Sequence, residues 1–129
     1  MSTMGKANVP ISDQLDGLLA AFNAHDLDGV MSYFAEDCAL QMPRGPAAHG
    51  TRVEGFAAVK AMLSTRFEGI PDIHYSGQGN YVDGNVGISK WLLTGTTTAG
   101  QKIPVHGCDF YEFQNGKVVL KNAYWKIVE

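Results

Sequence analysis

Leu15, Leu18, Leu19 and Phe22 are spaced i, i+3, i+4, i+7, which is the apolar stripe of an amphipathic helix. Ser12 stands where it can cap that helix, with Asp13 in the first turn, where the helix dipole favours a negative charge. The stretch "NAHD" breaks the stripe. Asp26 can then cap a second helix, in which Leu27, Val30, Met31 and Phe34 repeat the spacing. Two helices joined so tightly form a hairpin. A third helix is predicted over about Glu54–Phe67, with Phe56, Val59, Met62, Leu63 and Phe67 facing inward.

Between the second and third helices, "CALQMP" reads as a short strand ended by Pro43, and "RGPAAHGTRVEG" as a Gly/Pro-rich loop. After the third helix the pattern changes to β. "IHYSGQGNYV", "NVGISKWLLTGTTT", "QKIPVHGCDFYEF" and "KVVLKNAYWKIV" are strand-like runs, separated by Asp83-Gly84, Ala99-Gly100 and Asn115-Gly116. Each separator is a good turn signal. Helices first and a meander afterwards predict an α+β fold, with three N-terminal helices packed on one face of a curved antiparallel sheet. Residues 12–129 are expected to form one domain and residues 1–11 a loose tail.

Composition narrows the function classes. Of 129 residues, 45% are hydrophobic and 18% charged, an ordinary globular balance. The net charge of −3 and pI near 5.7 give nucleic acid or an anionic membrane no basic surface, so neither is expected as a partner. "MSTMGKANVP" lacks a signal-peptide core and no run approaches a membrane span, so a cytoplasmic protein is expected. Cys38 and Cys108 lie in apolar stretches without CxxC spacing and read as buried free thiols. His25, His49, His74 and His106 suit no zinc spacing, and no metal is expected. Nothing resembles a phosphate loop or a nucleophile elbow, so no cofactor is expected either.

The candidate chemistry lies in "VHGCDFYEF", residues 105–113. Strand alternation puts Val105, Gly107, Asp109, Tyr111 and Phe113 on one face. A carboxylate among such neighbours is costly to bury. Either that face meets water, or it lines a cavity in which Asp109 handles protons, with Gly107 leaving room for a ligand. The following turn decides its cross-strand partner. A three-residue Gln114-Asn115-Gly116 turn sets Lys121 opposite Asp109, whereas a two-residue Asn-Gly turn sets Asn122 there. A lysine beside Asp109 favours the carboxylate and a general base; burial alone favours a protonated acid. Phe22, Met42, Trp91, Tyr111 and Trp125 are candidates for the pocket wall, with core packing as the competing reading.

"AFNAHDLDGVMSYFAEDCALQMP", "GFAAVKAMLSTRFEGIPD" and "DFYEFQNGKVVLKNAYWKIV" together resemble the nuclear transport factor 2-like superfamily over residues 12–128. Within it, the chain is most similar to the ketosteroid isomerases and SnoaL-like polyketide cyclases. The resemblance implies a cone-shaped sheet around a deep apolar pocket, a small hydrophobic molecule as ligand, and a homodimer. A ketosteroid isomerase uses an Asp base, a Tyr and a protonated Asp. The base position falls on Met42, the Tyr position on Leu18 or Phe22, and the third on Asp109. The polyketide cyclases rely on an acid/base Asp that also matches Asp109. The resemblance favours the register that pairs Asp109 with Lys121 and brings Trp125 into the pocket. The first reading is a cofactor-independent isomerase, cyclase or dehydratase acting on a hydrophobic carbonyl compound, with Asp109 as the catalytic acid or base and Lys121 as its electrostatic partner. The missing partners at Met42 and Leu18 favour the alternative, a non-catalytic ligand-binding or dimerisation module.

Overall fold

Three helices precede most of a six-stranded sheet in a computed structural model that describes residues 9–129. Residues 1–8 of the expected tail lie outside the described residues. Helix α1 spans Ile11–Asn23 and buries Leu15, Leu18 and Phe22, the predicted stripe. Its N-cap is Pro10, so Ser12 sits inside the first turn and does not cap. Helix α2, Leu27–Met31, is capped by Asp26, whose carboxylate accepts a hydrogen bond from the Gly29 N–H at 2.9 Å.

The sequence pattern extends α2 to Phe34, but the chain leaves the helix earlier. The Tyr33 carbonyl accepts from the Val118 N–H and Phe34 pairs with Val118, so strand hydrogen bonds replace a further helical turn. Phe34 remains buried either way, which is why its periodicity misleads. Strand β1 therefore spans Phe34–Gln41, longer than predicted. Within the expected loop, β2 (Arg52–Glu54) pairs with Ala39–Gln41. That strand uses the residues before Gly55, whose φ of 96° is non-helical, and α3 accordingly runs Phe56–Gly69.

Strands β3 (His74–Asp83), β4 (Val86–Thr96), β5 (Lys102–Gln114) and β6 (Lys117–Trp125) form the meander. The sheet order is β2-β1-β6-β5-β4-β3. Its pairs are antiparallel except β1–β6, which is parallel because the helical segment carries the chain back over the sheet before the meander. The sheet is curved and not closed. One core joins α1 and α3 to the sheet, through residues such as Leu15, Phe22, Leu63, Trp91, Leu93 and Tyr111.

The β5–β6 register differs from both expected pairings. Asn115 (φ 51°) and Gly116 (φ 78°) form a two-residue turn that pairs Gln114 with Lys117. A bulge then slips the ladder between Glu112 and Phe113, because Phe113 pairs with Val118 but Glu112 with Leu120. Asp109 consequently faces Ala123, neither Lys121 nor Asn122.

Candidate functional site

The bulge leaves Lys121 paired with Tyr111, two positions along the same face from Asp109. A long side chain can cross that diagonal. The Lys121 ammonium donates to Asp109 Oδ1 at 2.9 Å, and both residues are buried, at 7% and 5% exposure. From β4, the Trp91 indole Nε1–H donates to Asp109 Oδ2 at 3.0 Å. Both carboxylate oxygens are thus engaged, one by a charge-assisted bond. Each pairing partner needs the other, because either charge alone at this depth is costly.

Aromatic rings surround the pair. The Lys121 ammonium lies 5.6 Å from the Phe22 ring centre and 5.9 Å from that of Tyr111, so the rings' negative faces add to its stabilisation. Tyr75 meets Trp91 edge-on at 5.1 Å and Phe22 at 5.6 Å. Burial, and then the nearby Asp109 charge, push the Tyr111 hydroxyl well above its ordinary range. Burial also raises Tyr75, against the opposing pull of Arg66.

A cavity of about 20 Å³ touches Asp109, Lys121, Trp91, Phe22, Met42 and Trp125, room for about one water. Next to it lies a cavity of about 480 Å³, reaching the exposed Ile127 and Val128. The two share Met42, Arg66 and Trp125 as a common wall. The Arg66 guanidinium carbon sits 4.5 Å from the Trp125 ring centre. Burial lowers the pKa of Arg66, with Arg44 acting in the same direction and Tyr75 and Asp109 opposing. The Arg66–Trp125 stack therefore separates the ion pair from the larger space.

Of the residues singled out in the sequence, the structure brings Phe22, Met42, Trp91, Asp109, Lys121 and Trp125 to one small cavity. Leu18 and Tyr111 do not line it: Leu18 is a core residue of α1, and the Tyr111 ring packs beside the Lys121 ammonium. Gly107 does not hold space for a ligand, because the Trp91 ring fills it. Arg66, Tyr75, Leu63 and Ala123 complete the lining and were not anticipated. Arg66 was findable, since it continues the Val59–Leu63 stripe of α3 at the next inward position. Cys38 is buried and Cys108 partly buried, both as free thiols. Among the described residues, no cluster of metal-ligating side chains forms and no helix is long and apolar enough to cross a membrane.

Helices packed on one face of a curved, open sheet define an NTF2-like, α+β class of protein. The chain belongs to the SnoaL-like domain family, whose model matches residues 15–121. A comparison with curated proteins finds no match. Solved structures support the fold. An NTF2-like protein of unknown function from Burkholderia pseudomallei K96243 has a TM-score of 0.80 at 20% identity, over 89% of each chain. A protein provisionally named a polyketide cyclase, from Xanthomonas campestris pv. campestris, has 0.79 at 19% identity, over 94% of this chain and 90% of its own. A protein provisionally named an isomerase, from Bacillus subtilis, has 0.73 at 20% identity, over 98% and 90%.

Proposed function

We propose that this protein is a cofactor-independent cyclase or isomerase that moves a proton on a small, hydrophobic carbonyl compound. The single observation that carries this reading is the Asp109–Lys121 pair, buried in an aromatic shell at the end of a cavity. A fold alone does not specify chemistry, but a buried carboxylate with two donors and an apolar approach suits proton transfer. The names of similarly folded proteins point the same way.

The chemistry follows from the donors. Asp109 accepts a proton from the carbon next to the substrate carbonyl, and the released electron pair moves onto the carbonyl oxygen as an enolate. The Lys121 ammonium stabilises that developing charge. Isomerisation ends when Asp109 returns the proton at another carbon. Cyclisation ends when the enolate carbon attacks a second carbonyl in the same molecule, whose oxygen then takes the proton. The substrate reaches Asp109 through the larger cavity once the Arg66 and Trp125 side chains swing aside.

A second reading, a non-catalytic binding module, is favoured by the 20 Å³ of free space beside Asp109. Mass spectrometry of the molecule retained on purification, followed by its turnover with wild type and Asp109→Asn, separates the two. Under the catalytic reading the wild type converts it and the variant is slower by roughly 10²–10⁴-fold. Retention without conversion leaves the module.

We further infer a homodimer formed through the sheet face opposite the helices. Phe110 and Tyr124 meet there edge-on at 5.5 Å, and Tyr81 and Tyr124 are exposed. A second copy presents the same aromatic patch, as a two-fold interface requires.

A further inference from the structure

Arg66 is a partly buried guanidinium that forms no ion pair among the described residues. The described salt bridges are Arg52–Glu54, Lys60–Asp28 and Lys121–Asp109, and Arg66 joins none of them. Asp109, the carboxylate it senses most, is already held by Lys121 and Trp91. Its other charged neighbour is Arg44, a like charge. A guanidinium withdrawn this far from water, whose nearby carboxylate is already engaged by Lys121 and Trp91, gains from a further negative charge within its reach.

The larger cavity has the same bias throughout. Arg44, Arg66, Lys102 and Lys126 line it, and among the described residues no Asp or Glu side chain does, although the protein as a whole carries a net charge of −3. Its remaining wall is largely apolar, with Leu93 and Val105 among its members. Low-dielectric walls lined by one sign of charge focus the field on an entering ligand.

We infer that Arg66 binds a carboxylate of the ligand, so that the molecule entering this cavity is an organic acid with an apolar body. The guanidinium fork matches the two oxygens of one carboxylate. Trp125 beneath it fixes the guanidinium plane while apolar walls take the body of the acid. Arg44 adds long-range attraction from its exposed position. This inference rests on the reading of the larger cavity as the substrate's entrance, and it specifies the chemical class admitted.

The test is calorimetric titration of the full chain with naphthoate and with naphthamide, its neutral counterpart, at low ionic strength. Naphthoate should bind at least about tenfold more tightly than the amide, as a charge-assisted hydrogen bond implies. Arg66→Gln should abolish that preference, and Arg66→Lys should restore part of it. Asp109→Asn should keep the preference in full. Equal binding of the two probes, binding of neither, or a preference that survives Arg66→Gln overturns the inference. Loss of turnover in Asp109→Asn reports on the catalytic reading alone, so the two stand or fall separately. Thermal melts of each variant exclude unfolding as the cause of lost binding.

Discussion

Trp91 and Gly107 face each other across β4 and β5, and the indole occupies the space that a side chain on Gly107 would need. A Cβ there would lie 2.5 Å from Trp91 Cη2 and 2.6 Å from the Tyr124 carbonyl oxygen. The glycine therefore lets the ring lie low enough across the strand for its N–H to reach Asp109.

Gly107→Ala should push Trp91 away from the carboxylate and overpack the strand pair, costing about 1–3 kcal/mol. Chemical denaturation gives the cost, and the Trp91 indole proton resonance shows whether the bond to Asp109 is lost. An unchanged stability together with an unchanged resonance contradicts this account of the glycine.

Asp109 and Lys121 should behave as a unit. Asp109→Leu leaves a buried ammonium unpaired and Lys121→Met a buried carboxylate, so each should cost about 3–5 kcal/mol. The double variant should recover to wild-type stability or exceed it by about 1–4 kcal/mol, because both desolvation penalties disappear together. Urea melts of the four proteins complete the cycle. Additive losses would show that the two charges are not coupled.

Alkaline pH should weaken the fold through Tyr75 and Tyr111. Burial raises both hydroxyls above their ordinary range, while an unfolded tyrosine ionises near pH ~10. The folded state therefore keeps protons that the unfolded state releases. This contribution is complete below about pH 10 and falls as pH rises toward the folded values, by up to about 1.4 kcal/mol per unit for each tyrosine. Phenolate absorbance should show two of the five tyrosines titrating only on unfolding. Tyr75→Phe and Tyr111→Phe should each flatten the alkaline limb of stability against pH.

The proposed sheet-face dimer should dissociate when charge is placed in the patch. Tyr124 is 54% exposed, so Tyr124→Glu costs the monomer's fold little yet sets two like charges together at a two-fold contact. Sedimentation should show dimer for wild type and monomer for the variant. A monomeric wild type at micromolar concentration removes the proposal.

Local pattern determined much of this protein. The stripe from Leu15 to Phe22 became α1, the turn signals became the meander's turns, and alternation correctly put Asp109 among buried apolar residues. These depend on periodicity, which sequence displays directly. Tertiary structure decided the rest. Phe34 fits a helix or a strand equally well, and pairing with β6 chose the strand. Lys121 reaches Asp109 through a two-residue turn corrected by a bulge, a register that neither turn rule alone predicts. Gly107 read as room for a ligand, but its opposite neighbour, fixed only by strand pairing, is a tryptophan. Arg66 comes from a different element, and its place beside Trp125 depends on how α3 crosses the sheet, a long-range relationship that no local spacing encodes.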